Sequence, residues 1–403
     1  MRVVILGGGV AGTTAAEELR KSSKDLEIIL VSEEQHPLYS RVLLPFYVTG
    51  KILRENVFLK KESWYAEQNI EWISGTRVER IDPKNKDVAL SDGRELPYDR
   101  LIIASGVQPE LMIEDRRGIS YFHTLDDADH LRELIAEAVP KTHAIVLGGS
   151  FIGCEYLQIF KQAGFETVVA FRGKTFWSRV LDETSGEMIN DHVRKQGIDV
   201  LPNTKLESVF GEKKLEVVGT NLGKKSCDIL GIGLGVKPDF SLFQEAGIKI
   251  NQGVLTDEFF GTSITDVFAI GDIAEFLDLS VGRTRVVRTW QNAMSQGRAV
   301  AKIILGDRKP FDQLASYGMK VFELDVVFIG DTSREDADEI VVNGTSRETG
   351  RTQLFLRKNR LVGATLVGRN QDRAPVIERM RSKQVFSDNK EKMRYTVDTL
   401  EFK

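Results

Sequence analysis

Two short glycine-rich turns are the residues in this sequence best suited to chemistry. The first, Gly7-Gly8-Gly9-Val10-Ala11-Gly12, follows the apolar run Val3-Val4-Ile5-Leu6 and opens a helical stretch. In a G-x-G-x-x-G turn the first glycine permits the tight bend. The second lets a pyrophosphate approach the backbone, and the third lets helix and strand pack closely. The helix then turns its free N–H groups toward the phosphates. Such a site needs a carboxylate about 20 residues further on, to accept from a ribose hydroxyl. Glu33 lies 21 residues after Gly12, just past the strand Ile28-Ile29-Leu30-Val31, with Glu34 beside it. The spacing predicts a dinucleotide site; the alternative is a tight strand–helix turn that holds nothing.

The second turn, Gly148-Gly149-Ser150-Phe151-Ile152-Gly153, follows Ala144-Ile145-Val146-Leu147. Ser150 replaces the middle glycine, a small change that still admits a phosphate. One such turn alone is a weak signal, but two in one chain, each inside a strand–helix–strand unit, are specific. The ribose carboxylate is missing from the second copy. Its strand Glu166-Thr167-Val168-Val169-Ala170 runs into Phe171-Arg172, with Phe171 in the carboxylate's place and Lys174 and Arg179 shortly after. A guanidinium suits a 2′-phosphate, whereas a carboxylate suits a bare 2′-hydroxyl. Arg172 therefore leans the site toward a 2′-phosphorylated dinucleotide or mixed use. Stacking of Arg172 on an adenine stays open.

The elements that must position these turns can be read from the hydrophobic pattern. Residues 72–78 and 87–94 predict strands joined by a turn, and residues 98–106 a strand ending in small residues. Residues 227–235 read as a strand ending at Gly235, and Val267-Phe268-Ala269-Ile270 as a buried strand ending in Gly271-Asp272. A helix is predicted over 290–305, with Gly306-Asp307 at its end and Pro310 marking a linker. Beyond it, strands are predicted over 320–329, 352–357 and 361–368, and a helix over 374–383.

Tyr39-Ser40-Arg41, Ala104-Ser105-Gly106, Gly271-Asp272 and Trp290-Gln291-Asn292-Ala293 with Gln296-Gly297 fall in one order along the chain. With the two turns, they resemble the pyridine nucleotide–disulfide oxidoreductase superfamily over essentially the whole length. Within it, the sequence is most similar to the branch of rubredoxin reductases, oxygenase-coupled ferredoxin reductases and the flavin portion of nitrite reductases. The resemblance implies an α/β fold of two Rossmann-like dinucleotide-binding domains, the second inserted in the first, plus a small C-terminal α+β domain. The implied bounds are 1–108 with 242–308 for FAD, 109–241 for NADH or NADPH, and 309–403 for the last domain. By the same resemblance, FAD is held by Gly7, Gly9, Val10, Ala11, Gly12, Glu33, Glu34, Ala104, Ser105 and Gly106. Arg41 would lie near the diphosphate, Val78 beside the adenine, Asp272 at the ribityl–phosphate region, and Trp290 and Gln291 at the isoalloxazine ring. NAD(P)H would be held by Gly148, Ser150, Ile152, Gly153, Arg172 and Gly235. Phe151 would cover the flavin face and move aside for nicotinamide, with Glu155 near both rings. The plain alternatives are an N-cap for Asp272, a core ring for Phe151 and a helix-surface carboxylate for Glu155.

What is missing narrows the chemistry. Disulfide reductases of this superfamily carry a cysteine facing the flavin, and by resemblance that position is Val42, which has no thiolate. The two cysteines, Cys154 and Cys227, are far apart and have no metal-ligand spacing. No nucleophile, acid–base pair or metal cluster is evident, so the chemistry belongs to the cofactors. The charge balance of 55 basic against 59 acidic residues gives no reason to expect a nucleic-acid partner. No apolar run is long enough to cross a bilayer, and Met1–Leu6 reads as a strand rather than a signal sequence, so the cytoplasm is the expected compartment. The leading expectation is a reductase of a small electron-transfer protein such as rubredoxin or ferredoxin. An acidic partner would need a basic surface, for which Arg116-Arg117, Arg283 with Arg285 and Arg288, and Arg369 with Arg373, Arg379 and Arg381 are candidates. An oxidase or diaphorase using oxygen or small acceptors, and a non-catalytic flavin sensor or relay subunit, remain open.

Overall fold

Val3, Val4, Ile5 and Leu6 are all buried. A run that is apolar on both faces is buried only as a strand covered on both sides, the situation of a central parallel strand. The computed structural model, which describes residues 1–110, 117–344, 349–383 and 385, places it so. Strand Arg2–Leu6 lies between Glu27–Val31 and Arg100–Ile103, with Ile70–Ile73 and Val267–Ala269 outside them, all parallel. A three-stranded antiparallel sheet of Val78–Asp82, Asp87–Leu90 and Glu95–Pro97 adds Ile81, Val88, Leu90 and Leu96 to the same core. Helix Val10–Ser22 buries Ala11, Gly12, Ala15, Ala16 and Leu19. Its small residues let helix Trp290–Ile304 approach closely: a Cβ on Gly297 would lie 2.4 Å from the Ala11 carbonyl oxygen.

These elements belong to the first of two compact units, Met1–Leu44 with Ile52–Gln108 and Val236–Gln313. The second unit takes Pro45–Lys51, Pro109–Gly235 and Leu314–Lys403. It repeats the parallel sheet. Strand His143–Leu147 lies between Glu166–Ala170 and Ile229–Ile232, with Asp199–Leu201 and Ile119–Tyr121 at the edges. Helix Phe151–Gln162 buries Cys154, Tyr156, Leu157, Ile159 and Phe160, and the Tyr156 hydroxyl donates to the Ser120 carbonyl at 2.8 Å.

The described residues between 316 and 367 form a five-stranded antiparallel sheet in the order Ser316–Val321, Leu324–Gly330, Arg360–Val367, Arg351–Arg357, Glu339–Asn343. Helix Arg373–Arg381 covers it with Val376 and Met380. The single strand expected over 320–329 is two strands of a hairpin, because Phe322 takes a left-handed φ of +54° and reverses the chain. Among the described residues no helix is long and apolar enough to cross a membrane.

Candidate functional site

Three glycines of the first turn are demanded by the protein itself. Gly7 has φ +118°, and a Cβ there would lie 2.2 Å from the Ala104 carbonyl oxygen. A Cβ on Gly8 would meet Ser32 Oγ at 2.7 Å, and one on Gly12 the Gly7 carbonyl oxygen at 2.0 Å. Gly9 is different. Its φ of −69° and ψ of −173° are open to any residue, and an added Cβ would meet nothing within 4 Å. No protein atom explains the glycine there. The open space lies at the N-terminus of helix Val10–Ser22, where N–H groups face outward, and it fits a pyrophosphate.

Around this turn the first unit assembles most of its expected residues. Ala104 N–H donates to the Leu6 carbonyl at 2.7 Å, which brings Ala104, Ser105 and Gly106 (φ +69°) to the turn's edge. Glu34 accepts from the Tyr39 hydroxyl at 2.5 Å and from Arg41 Nη2 at 2.6 Å. Glu33 is exposed and meets Arg77 at 3.5 Å. Val78, half-buried, packs on the core. Burial pushes the Asp272 carboxyl up to about 6, against the opposing pull of Arg288 and Arg41. The short helix Gly271–Ile273 has Ile270 at its N-cap, so Asp272 is not the capping residue there. Beside it, Gln296 is fully buried; its Oε1 accepts from Gly271 N–H at 2.6 Å, while its Nε2 donor is buried with no acceptor. An orphaned donor and a desolvated carboxylate next to an open glycine turn fit a polar cofactor such as FAD. Gln296 entered the sequence reading only as a motif letter. Trp290 is half-buried at a cleft of about 260 Å³ that Val10, Thr14 and Lys60 also line. Gln291 is exposed.

The second turn superposes on the first in its bonding. Gly148 has φ +120°, its Cβ would lie 2.2 Å from the Gly233 carbonyl oxygen, and Gly153 would clash with the Gly148 carbonyl oxygen at 2.0 Å. Gly148 N–H donates to the Ala170 carbonyl at 2.9 Å, as Gly7 N–H donates to Val31 at 2.8 Å. Ala170 thus matches Val31, Phe171 matches Ser32, and Arg172 matches Glu33. This corrects the sequence reading that put Phe171 in the carboxylate's place. Phe171 is buried, lies across Gly149 where a Cβ would come within 2.9 Å of its ring, and packs on Phe176 at 4.9 Å. The residue at the Glu33 position of the second turn is Arg172, which is exposed. Ser150 is the N-cap residue of helix Phe151–Gln162, and Ile152 and Gly153 lie in its first turn. Gly235 follows at φ +112° with open space around its missing Cβ.

Phe151 is half-buried, edge-on to Trp177 at 5.3 Å and to Phe328 at 5.5 Å, and tilted against Tyr317 at 5.7 Å. Burial pushes the Glu155 carboxyl up to about 7, so near neutral pH it holds a proton part of the time. Burial likewise raises the Cys154 thiol and takes that of Cys227 up to about 12, and Cys227 donates to the Ile229 carbonyl. Neither thiol is a ready nucleophile. Val42 is 55% exposed. Part of the expected basic surfaces is spent on pairs within the chain. Arg285 bonds buried Asp278 at 2.7 Å, Arg369 is itself buried against Asp372 at 2.7 Å, and Arg117 pairs with Glu137. Arg116 lies outside the described residues.

The family model described as pyridine nucleotide-disulphide oxidoreductase matches residues 1–297. The chain is 31% identical over 347 residues to the benzene 1,2-dioxygenase system ferredoxin–NAD(+) reductase subunit of Pseudomonas putida, covering 85% of this chain and 83% of that one. It is 27% identical over 377 residues to the nitrite reductase [NAD(P)H] of Bacillus subtilis (strain 168), covering 91% of this chain but only 45% of that longer protein. A crystal structure of the covalent putidaredoxin reductase–putidaredoxin complex matches with a TM-score of 0.86 at 27% identity, covering 94% of this chain and 93% of that one. With two glycine turns of the same bonding and this match over most of its length, the chain belongs to the pyridine nucleotide–disulphide oxidoreductase family and is an FAD-dependent NAD(P)H oxidoreductase.

Proposed function

We propose that this chain takes hydride from NADH or NADPH and delivers electrons singly to a small redox protein of the rubredoxin or ferredoxin kind. The observation that carries the reading is a matched pair of dinucleotide turns with no reactive thiol beside them. Gly9 and Ser150 each stand at the N-terminus of a helix, while both cysteines are buried and Val42 stands where the resemblance puts a redox cysteine. Bound FAD supplies a centre that accepts hydride and releases electrons one at a time. The protein's own residues hold and orient. The Gly7–Gly12 turn seats the flavin dinucleotide, Asp272 and Gln296 offer it polar partners, and the Gly148–Gly153 turn seats the nicotinamide dinucleotide. Glu155 can hold or release one proton near neutral pH. A protein acceptor is supported by the ferredoxin and putidaredoxin reductase relatives. The buried, unpaired thiols support the cytoplasm as its compartment.

Stopped-flow reduction by NADH and NADPH, followed by mixing with rubredoxin, ferredoxin or oxygen, tests the acceptor. Reoxidation by the oxidised partner protein should outrun reoxidation by oxygen about tenfold or more; faster transfer to oxygen would favour an oxidase. Nicotinamide choice turns on Arg172. A guanidinium on a 2′-phosphate contributes on the order of 1.5–3 kcal/mol per charge-assisted hydrogen bond. Arg172→Ala should therefore lower kcat/KM for NADPH by about tenfold or more and leave NADH nearly unchanged. Equal losses for both would assign Arg172 to adenine stacking. Phe171→Glu is not the complementary change, since it would bury a carboxylate against Phe176 and Gly149; Arg172→Glu is.

A further inference from the structure

The two glycine turns differ in what fixes their middle peptide. In the first, the Thr13 hydroxyl donates to the Gly8 carbonyl at 2.9 Å. A trans peptide points its C=O and N–H to opposite sides, so a carbonyl held inward turns the next N–H, that of Gly9, outward. The residue matching Thr13 in the second turn is Cys154, whose buried thiol makes no hydrogen bond among the described residues. The Gly149 carbonyl is held instead by the backbone N–H of Trp177, at 2.9 Å.

Trp177 adopts an unfavourable conformation to reach it. Its φ is +46°, a region that strains any residue with a Cβ, and a bulky aromatic most of all. Its indole N–H is buried with no hydrogen-bond partner. Two unfavourable features at one residue persist only where the surroundings over-determine it. Here they do. The indole is wedged against Phe151 at 5.3 Å, Phe328 at 5.7 Å and Phe176 at 6.0 Å. A few residues on, Asp182 is gripped by Arg351 through Nη2 at 2.5 Å and Nε at 2.8 Å.

We propose that Trp177 is a positioning residue for the nicotinamide dinucleotide. By pinning the Gly149 carbonyl it aims the Ser150 N–H at the cofactor's pyrophosphate, the task that Thr13 performs for Gly9 at the flavin turn. The aromatic wedge is what keeps the pin in its left-handed conformation. This rests on the reading of the second unit as the nicotinamide site.

The test is calorimetric titration of the FAD-loaded full chain with NAD+ and NADP+, alongside steady-state kinetics. Trp177→Ala removes the wedge but keeps the strain, so the loop relaxes away from Gly149. The dissociation constants for both oxidised dinucleotides should rise about tenfold, carried by KM, with kcat within about twofold. Adding Cys154→Thr restores a hydroxyl at the Thr13 position and should return binding to within about threefold of the unmutated protein. Trp177→Gly, which tolerates a positive φ, should lose about threefold and serves if the alanine variant does not fold. Unchanged affinity in the folded variant, or a loss that Cys154→Thr does not reverse, would reduce Trp177 to packing. Failure of the unmutated protein to bind either dinucleotide would overturn the reading of the second unit itself.

Discussion

Gly9→Trp should yield a folded but colourless protein. The substitution meets no obstacle in the chain: the backbone at Gly9 is in an ordinary extended conformation, and nothing lies within 4 Å of an added Cβ. Thermal stability of the FAD-free form should therefore change little. The indole would occupy the path by which the pyrophosphate reaches the N–H groups of helix Val10–Ser22. Loss of that approach should weaken FAD by a hundredfold or more, about 2.8 kcal/mol at about 1.4 per decade. Absorbance near the flavin bands after purification, and the Tm without added FAD, measure the two halves of the claim. Gly12→Trp is the control. Its Cβ alone would overlap the Gly7 carbonyl oxygen at 2.0 Å, so that variant should lose fold and flavin together. A yellow Gly9→Trp protein with one FAD per chain would remove this turn from the flavin site.

The second large effect is pH-dependent stability of the FAD-free protein through Asp272. Its carboxyl is pushed up to about 6 by burial, with Arg288 and Arg41 opposing. An ordinary aspartate titrates near 3.9. The folded chain thus favours the protonated form. Below about pH 4 the group is protonated in both states and adds nothing. Between about pH 4 and 6 the unfolded chain ionises first, and stability falls as pH rises; above that the full penalty is present. Asp272→Asn removes the ionising group. The variant should match the parent at pH 4 and exceed it at pH 8 by up to about 3 kcal/mol, less whatever solvent screening takes. Denaturant unfolding of the two FAD-free proteins at both pH values decides the matter. A difference that is the same at pH 4 and pH 8 would show that Asp272 is not desolvated. With FAD present the order should reverse, since the substitution removes a charged partner for the cofactor.

The glycine spacing made both turns legible, because Gly7, Gly12, Gly148 and Gly153 answer to local sterics that a short motif records. Strand–helix–strand alternation likewise exposed both parallel sheets. What the sequence hid was register. Gly12 and Val31 are 19 residues apart, whereas Gly153 and Ala170 are 17 apart, so counting alone cannot match residues across the two copies. Only the bonds from Gly7 to Val31 and from Gly148 to Ala170 show that Arg172, not Phe171, is the counterpart of Glu33. Trp177 was invisible for a similar reason. Its role depends on a backbone conformation that no aromatic residue advertises, and on a ring partner, Phe328, about 150 residues away. A run of basic residues says nothing about pairing: Asp278 and Asp372 neutralise Arg285 and Arg369 in the interior.

The grip of Arg351 on Asp182, and of Phe328 on Trp177, bears on how this chain can be recombined. Exchanging the last sheet alone, with the nucleotide folds left intact, would not be neutral. Here the last sheet is structurally wired into the segment that follows the nicotinamide turn. A chimera joined near residue 314 would inherit an unpaired carboxylate at Asp182 and an unsupported indole at Trp177, and so would lose coenzyme affinity while appearing to have altered only the acceptor. The unit that can be exchanged intact runs from the loop after Ala170 together with the strands that carry Phe328 and Arg351, which lie far apart in sequence but form one graft.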